Sequence, residues 1–363
     1  MGLLSQNLVA SVHGQRFRPL AVHGVPQYLF LGLCMTISIL LPFMPTDGKQ
    51  ILPFTNLVQE GSAERLWTGQ SLLLEPHTAL AYASGAGGSV PMGTSVTLMP
   101  LRHPFQAALQ ARSLAALSEH PFIAGLGTGP QPFVQALCGS SYASPLGAVR
   151  EYTTIVRCLL NGETVDLSGD YYGMHGALPP LEAPPVQLGL GVLRPKMAEL
   201  AGEISDVAIT WMSPPDYLAR ILLPALTRGA ERAQRPRPRV TAVVHVSLDA
   251  PRRDHARVIL AAARAHLQAP HYQAMLRLAG VEVDPHDLLS TAERLIESGT
   301  VAVGSVEDVL RTVRAYYAAG ADEIVLNTIG LQTVNGTAAS LSALDAVTRA
   351  VRAESAAVVE GRA

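Results

Sequence analysis

Cysteine is scarce in this chain: its 363 residues include only Cys34, Cys138 and Cys158, with no CxxC pair. An odd count without paired spacing excludes a disulfide framework or a zinc cluster, and it points to a reducing, cytoplasmic setting. Charge is sparse too. Charged residues make up 15 %, aromatic residues 5 %, and the formal net charge is −2. Such a surface gives no reason to expect nucleic acid or an acidic membrane as partner. No run reaches the roughly 18 apolar residues that a membrane helix needs, and no solenoid-type repeat recurs. There is no Gly-x-Ser-x-Gly elbow and no Walker loop, and Gly125-Leu126-Gly127-Thr128-Gly129 is not GxGxxG. His255, His266, His271 and His286 lack HExxH spacing, so no metal site is expected. His245 stands inside an apolar run and reads as a satisfied core residue.

What is present is apolar and regular. Hydrophobic residues make up 48 % of the chain, enough to bury one large domain or two modest ones. Residues 1–34 show neither a period nor helix caps, and they fit a signal peptide poorly. They read as an N-terminal extension, poorly ordered or from a misplaced start, with an ordered arm as the alternative. One domain is expected over 35–355, and a tail over 356–363.

Strands and helices alternate along that domain. Strands are expected at Thr36–Leu41, Arg65–Thr68, Gly93–Thr97, Phe122–Leu126, Val186–Leu190, Val207–Trp211, Val240–Leu248 and Glu323–Leu326. Helices fall between them. The one from Pro145 to Leu160 has Ser144 as N-cap, and Ser305 and Asp308 frame another that ends at Gly320. Glu163 to Gly176 alternates and turns at Ser168-Gly169-Asp170, so it reads as an inserted hairpin. Pro251 to Gly299 reads as a helical insertion after the seventh strand. Strands separated by helices over this length give an α/β fold, a (β/α)8 TIM barrel, whose active site lies at the carboxyl ends of the strands.

Gly93 to Pro104, GTSVTLMPLRHP, is the focal stretch: a β-branched strand that hands over to a helix. Pro121 to Gly129, PFIAGLGTG, is a buried strand ending in glycines. Glycine at a strand's carboxyl end lets a flat or anionic group approach the backbone. GTSV, LxxRHP, GxGTG and the later Gly162-Glu163…Tyr171 hairpin together resemble the bacterial luciferase-like monooxygenase superfamily, in its coenzyme F420-dependent reductase and dehydrogenase branch. The resemblance covers roughly Met35 to Val351. It implies a non-prolyl cis peptide at Ser95–Val96, bulging against the cofactor ring, and a homodimer. Leu193-Arg194-Pro195 stands where the branch commonly has a glycine-rich phosphate-binding segment.

Several site residues follow as expectations. Ser95, Val96, Thr128, Gly129, Val192, Leu193, Arg194 and Lys196 are candidates for holding the cofactor; a glycine-bearing loop running into a helix start at Pro195 suits a phosphate. Trp67, Trp211, Met212 and Asn327 are candidates for the substrate pocket. Where the family commonly carries an acid and a histidine after the second strand, this chain has Gln70 and Ser71. These two, with Glu75 and His77 a few residues on, are the candidate catalytic groups. The expected function is hydride transfer between coenzyme F420 and an unsaturated C=C or C=N substrate, a small molecule or a peptide. Dehydroamino-acid reduction in secondary metabolism is one instance. An FMN-dependent monooxygenase and a non-catalytic binding barrel are the alternatives.

Overall fold

The sequence alternation becomes a closed frame in the computed structural model, which describes residues 35–360. The extension expected at 1–34 lies outside the described residues. The strands are β1 (Ile37–Leu40), β2 (Leu66–Thr68), β3 (Met92–Thr94), β4 (Thr97–Leu98), β5 (Phe122–Gly127), β6 (Val165–Ser168), β7 (Gly173–Gly176), β8 (Val186–Gly191), β9 (Val207–Trp211), β10 (Arg239–Leu248), β11 (Ala302–Gly304) and β12 (Glu323–Asn327). Parallel pairing runs β1-β2-β3-β5-β8-β9-β10-β12 and back to β1, so eight strands close a barrel. β4 continues the third staves of the barrel beside β5, and β11 extends the end of β10. β6 and β7 form the expected antiparallel hairpin, with Ser168 opposite Gly173.

Three elements differ from expectation. A helix, Gln131–Cys138, precedes the expected Pro145–Leu160 helix and has no counterpart among the elements named from the sequence. It opens beside Pro130 and closes at Gly139, whose φ of 75° suits only glycine well. β11 is too short to declare itself by alternation. The last helix spans Ile329–Glu360 and runs into the tail expected over 356–363, with a break at Gly336. The insertion after β10 resolves into the helices His255–Gln268, Pro270–Leu278 and Leu288–Glu297.

Period-two alternation divides each barrel strand between an outer face on the helices and an inner face on the lumen. The lumen is filled in layers, as a barrel of this size requires. The lowest layer is polar. Glu323 accepts from Ser38 Oγ at 2.6 Å and from Trp67 Nε1 at 2.8 Å, and Arg65 and Arg239 each stand 3.9 Å from its carboxylate. Above it, Leu40, Ile123, Val207, Ile209, Val243 and Val325 pack with the Trp67 ring. Val96 and Trp211 close this plug from above, and the layer they belong to faces the mouth.

Candidate active site

The upper lumen is asymmetric because five glycines lie on one side of it. Trp67 occupies the space a Cβ at Gly93 would fill, at 2.8 Å, and Ile209 that at Gly189, at 2.9 Å. At Gly125 a Cβ would lie 1.7 Å from the Thr94 carbonyl oxygen. Thr94 Oγ1 completes this close approach, donating to Gly125 O and accepting from Gly125 N, each at 2.9 Å. Directly after Thr94 the Ser95–Val96 bond is cis, as the sequence resemblance implies. Val96 then reaches over the ends of β5 and β8: Cβ atoms at Gly127 and Gly191 would lie 2.5 and 3.4 Å from its methyl groups. The result is a floor of backbone and one aliphatic side chain. Beside it Ser95 Oγ is buried without a partner among the described residues.

The opposite side of the mouth is polar. Strands four places apart around an eight-stranded barrel face each other, so β3 stands across from β10. Along β10 the even residues from Val240 to Val246 are apolar and face the helices, while Thr241, Val243, His245 and Ser247 face inward. His245 is only 2 % exposed, and neither ring nitrogen has a partner among the described residues. The expected satisfied core histidine is therefore corrected: it is buried but not satisfied. Its ring meets Trp211 edge-on at 5.6 Å. Trp211 in turn lies 5.4 Å from His266, whose ring meets Tyr272 at 4.8 Å. Both of these come from the insertion, which thus roofs this side of the mouth. Trp211 Nε1, His266 Nδ1 and Asn327 Nδ2 are also buried without partners among the described residues. Burial pushes His245 down to about 3 and His266 down to about 4, so both rings are neutral near pH 7.

The sequence-derived residues divide around this mouth. Ser95, Val96, Trp211 and Asn327 line it or stand at its edge. Thr128 is half-buried beyond β5, and Gly129, at φ 70°, packs on Leu98 and Val134 as the chain turns away. Trp67 leaves the pocket wall, being fully buried below it with its indole spent on Glu323. Met212 also leaves it. At φ 53° the chain turns there, and its side chain is buried in the outer core.

The catalytic candidates change most. Glu75 caps the helix Pro76–Ala83, accepting from Thr78 N at 2.8 Å, from His77 Nδ1 at 2.9 Å and from Arg102 at 3.4 Å. Burial works to raise its pKa, but the hydrogen bonds from His77 and the Thr78 backbone outweigh it and bring it down to about 2. It carries no proton near pH 7 and is corrected to a cap. His77 is buried behind the barrel wall, 6.0 Å from the outward-facing Phe122. Gln70 ties two segments together: its oxygen accepts from Leu98 N at 3.1 Å and its amide donates to Ser71 O at 2.9 Å. That holds the chain just past the Ser95–Val96 bond against the loop after β2. Ser71 Oγ accepts from Leu73 N at 3.1 Å.

At the phosphate candidate, Val192 N donates to Ile209 O at 2.8 Å, so its amide belongs to the sheet and not to a ligand. Leu193 O accepts from Tyr217 at 3.0 Å. Arg194 is exposed at the start of the helix Pro195–Ile204 and acts electrostatically on Tyr217 and on His271 of the insertion. It stands at the outer end of the roof. Lys196 turns the other way, into an outer cleft with Arg150, Glu199, Glu203 and Arg232, where Arg150 and Arg232 pair with Glu203.

The hairpin is fixed on the glycine side of the rim. Glu151 accepts from the backbone of Asp170, Tyr171 and Tyr172 at 2.8–3.0 Å, and the Tyr142 and Tyr172 hydroxyls bond to each other. Below, Asp206 bonds Arg157 and Leu188 N, a structural role.

His245 was missed as a site residue, whereas Gly127 lies in the glycine-ended strand that the sequence singled out. The signal was present: in Val240–Leu248 the odd positions alone carry polar groups, and a histidine there must face the lumen.

Comparison with known proteins places this geometry. The profile of the luciferase-like monooxygenase family matches residues 35–323. A 5,10-methylenetetrahydromethanopterin reductase of Methanolobus tindarius is 31 % identical over 204 residues, 55 % of this chain and 61 % of that protein. The match thus spans less than two thirds of that relative. The coenzyme F420 dependent tetrahydromethanopterin reductase from Methanopyrus kandleri superposes with a TM-score of 0.69 at 19 % identity, over 86 % of this chain and 97 % of that one. The oxygenating constituent of 3,6-diketocamphane monooxygenase from Pseudomonas putida, in complex with FMN, reaches 0.65 at 16 % identity, over 88 % and 98 %. At these identities the structures share the fold.

Proposed function

The chain belongs to the luciferase-like monooxygenase family, and from that membership we propose that it is a coenzyme F420-dependent oxidoreductase acting on an unsaturated organic substrate. The carrying observation is the floor that Val96 makes over Gly127 and Gly191, with Ser95 Oγ unpartnered beside it. A flat ring fits there because no Cβ stands in its way and the neighbouring hydroxyl needs a partner. When bound, a deazaflavin supplies hydride chemistry at its ring carbon five. Val96 supports the ring from below. Gln70 keeps the support in place by holding Leu98. Arg194, at the mouth's outer end and at a helix start, is the group suited to a phosphate. The substrate then lies between the ring and the Trp211–His245 side, where the roof residues His266 and Tyr272 exclude water. A C=C or C=N bond in a small molecule or modified peptide suits that space, and the resemblance carries a homodimer with it.

The solved relative holding FMN supports a second reading, oxygen chemistry on the same floor. Titration of the full chain with coenzyme F420 and, separately, with FMN decides between them. Saturable quenching of F420 fluorescence with clearly weaker FMN binding is the expected result. A preference for FMN establishes the second reading, and binding of neither overturns both.

A further inference from the structure

His245 is the most sharply unsatisfied side chain of the barrel mouth. Four other histidines have found partners: His77 bonds Glu75, His103 accepts from Phe105 N, His175 bonds Asp166, and His255 bonds both Ser247 and Asp249. His245 has none on either nitrogen although it is 98 % covered, the remainder of its 2 % exposure. A buried polar group without a partner is left desolvated at a net cost. Three more such groups stand around it. Trp211 Nε1–H lies on the ring that His245 touches edge-on at 5.6 Å, Asn327 pairs with His245 in the β10–β12 register, and His266 Nδ1 lies on the far side of Trp211. The Asn327 oxygen accepts from Ile329 N at 3.0 Å, and its NH2 group is the part left without a partner among the described residues. Trp211, His266 and Tyr272, which cover these groups, are each partly exposed.

We propose that His245, Trp211 and Asn327 form a subsite for an uncharged carbonyl-type oxygen of the substrate, with His245 as the residue that positions it. The proposal rests on reading the Val96 floor, across the lumen, as the cofactor side. Donors dominate the set: an indole N–H, a carboxamide NH2 and one imidazole N–H, against a single imidazole acceptor. That composition fits an acceptor atom. None of the three carries charge, since burial holds His245 neutral near pH 7, so a carboxylate entering here would meet no counter-charge. The subsite therefore selects a conjugated ketone, amide or ester over a free acid, and it fixes which end of the double bond faces the ring.

The test uses the full chain without cofactor, labelled with 15N in histidine and tryptophan, with cyclohex-2-enone as the probe and crotonate as the anionic counterpart. The chain has only two tryptophans, so the Trp211 indole N–H is readily told from that of Trp67. The expected result is a saturable shift of the His245 ring nitrogens and the Trp211 N–H with the enone, and none with crotonate. In His245→Phe the Trp211 signal should report at least about tenfold weaker enone binding, the loss of roughly one good hydrogen bond. His245→Gln, which keeps a neutral donor and acceptor, should restore most of it. Unmoved His245 signals, crotonate binding as well as the enone, or His245→Phe binding as tightly as the natural chain would each overturn the proposal. Parallel F420 titrations separate the two readings. Failure of the natural chain to bind F420 sinks the cofactor assignment, whereas the histidine shifts decide the subsite alone.

Discussion

Gly125 and Gly127 are two residues apart on one strand, and a methyl group at each would do different things. At Gly125 the obstacle is backbone, the Thr94 carbonyl at 1.7 Å, which cannot move without unmaking the β3–β5 contact. Gly125→Ala should therefore cost at least the upper end of the roughly 1–3 kcal/mol seen for overpacking, read as a lowered urea midpoint. At Gly127 the obstacle is a methyl group of Val96 at 2.5 Å, a side chain at the open mouth. Gly127→Ala should push Val96 upward, lower the midpoint much less, and weaken F420 binding by more than tenfold. Equal loss of stability in the two variants would show that the Val96 floor is structural and not a ligand cradle. These glycines also mark what single residues tell in advance. GTSV and GxGTG pointed to the right corner of the barrel. Which glycine serves the fold and which the floor depends on atoms of neighbouring strands, and sequence spacing does not contain them.

Elements explain why the catalytic candidates after β2 were misplaced. Glu75 and His77 were read as groups near a strand end that reach inward. Glu75 precedes Pro76, however, and an acidic residue before proline at a helix start is first of all a cap. The helix turns His77 to the wall and leaves the mouth to β10, β9 and β12. Glu75→Ala should then lower stability by about 0.5–2 kcal/mol near pH 7 while leaving F420 affinity unchanged. The pH dependence follows from its depressed pKa. Folded Glu75 titrates at about 2 against an ordinary 4.5, so its stabilisation is full above pH 4.5 and is lost as pH falls toward 2. The difference in urea midpoint between Glu75→Ala and the natural chain should shrink across that interval. A difference that stays constant would mean that the cap acts through shape and not through charge. Strand and helix order was legible because hydrophobic periods and caps are local. The helix Gln131–Cys138 and β11 were not read: one is a short, proline-bearing stretch between Gly129 and Gly139, and the other is defined only by its partner, β10.

For the whole molecule, the neutral histidines of the mouth set the acid limit of stability. An unfolded histidine takes up a proton below about pH 6.5, whereas His245 and His266 stay unprotonated in the folded chain until about 3 and about 4. The unfolded state therefore binds more protons throughout the interval between, and stability falls as pH falls from 6.5 toward 4. Once the unfolded rings are fully protonated the slope approaches about 1.4 kcal/mol per pH unit for each histidine. Above pH 6.5 neither contributes a slope. This window lies above that of Glu75, so the two can be measured apart. Removing one ring by His245→Phe should cut this histidine slope by about half between pH 4.5 and 6, and it should leave stability at pH 7.5 equal or higher, because an unpartnered buried ring is replaced by an apolar one. An unchanged slope would mean that His245 already titrates normally, with water or a partner on its nitrogens, and would remove the ground for a carbonyl subsite. A barrel that retains two unpartnered histidines at its mouth gives up acid stability there. A carbonyl bound to the neutral His245 ring leaves its proton uptake unchanged between pH 4.5 and 6, so it should raise stability by a constant amount there and leave the slope as it is.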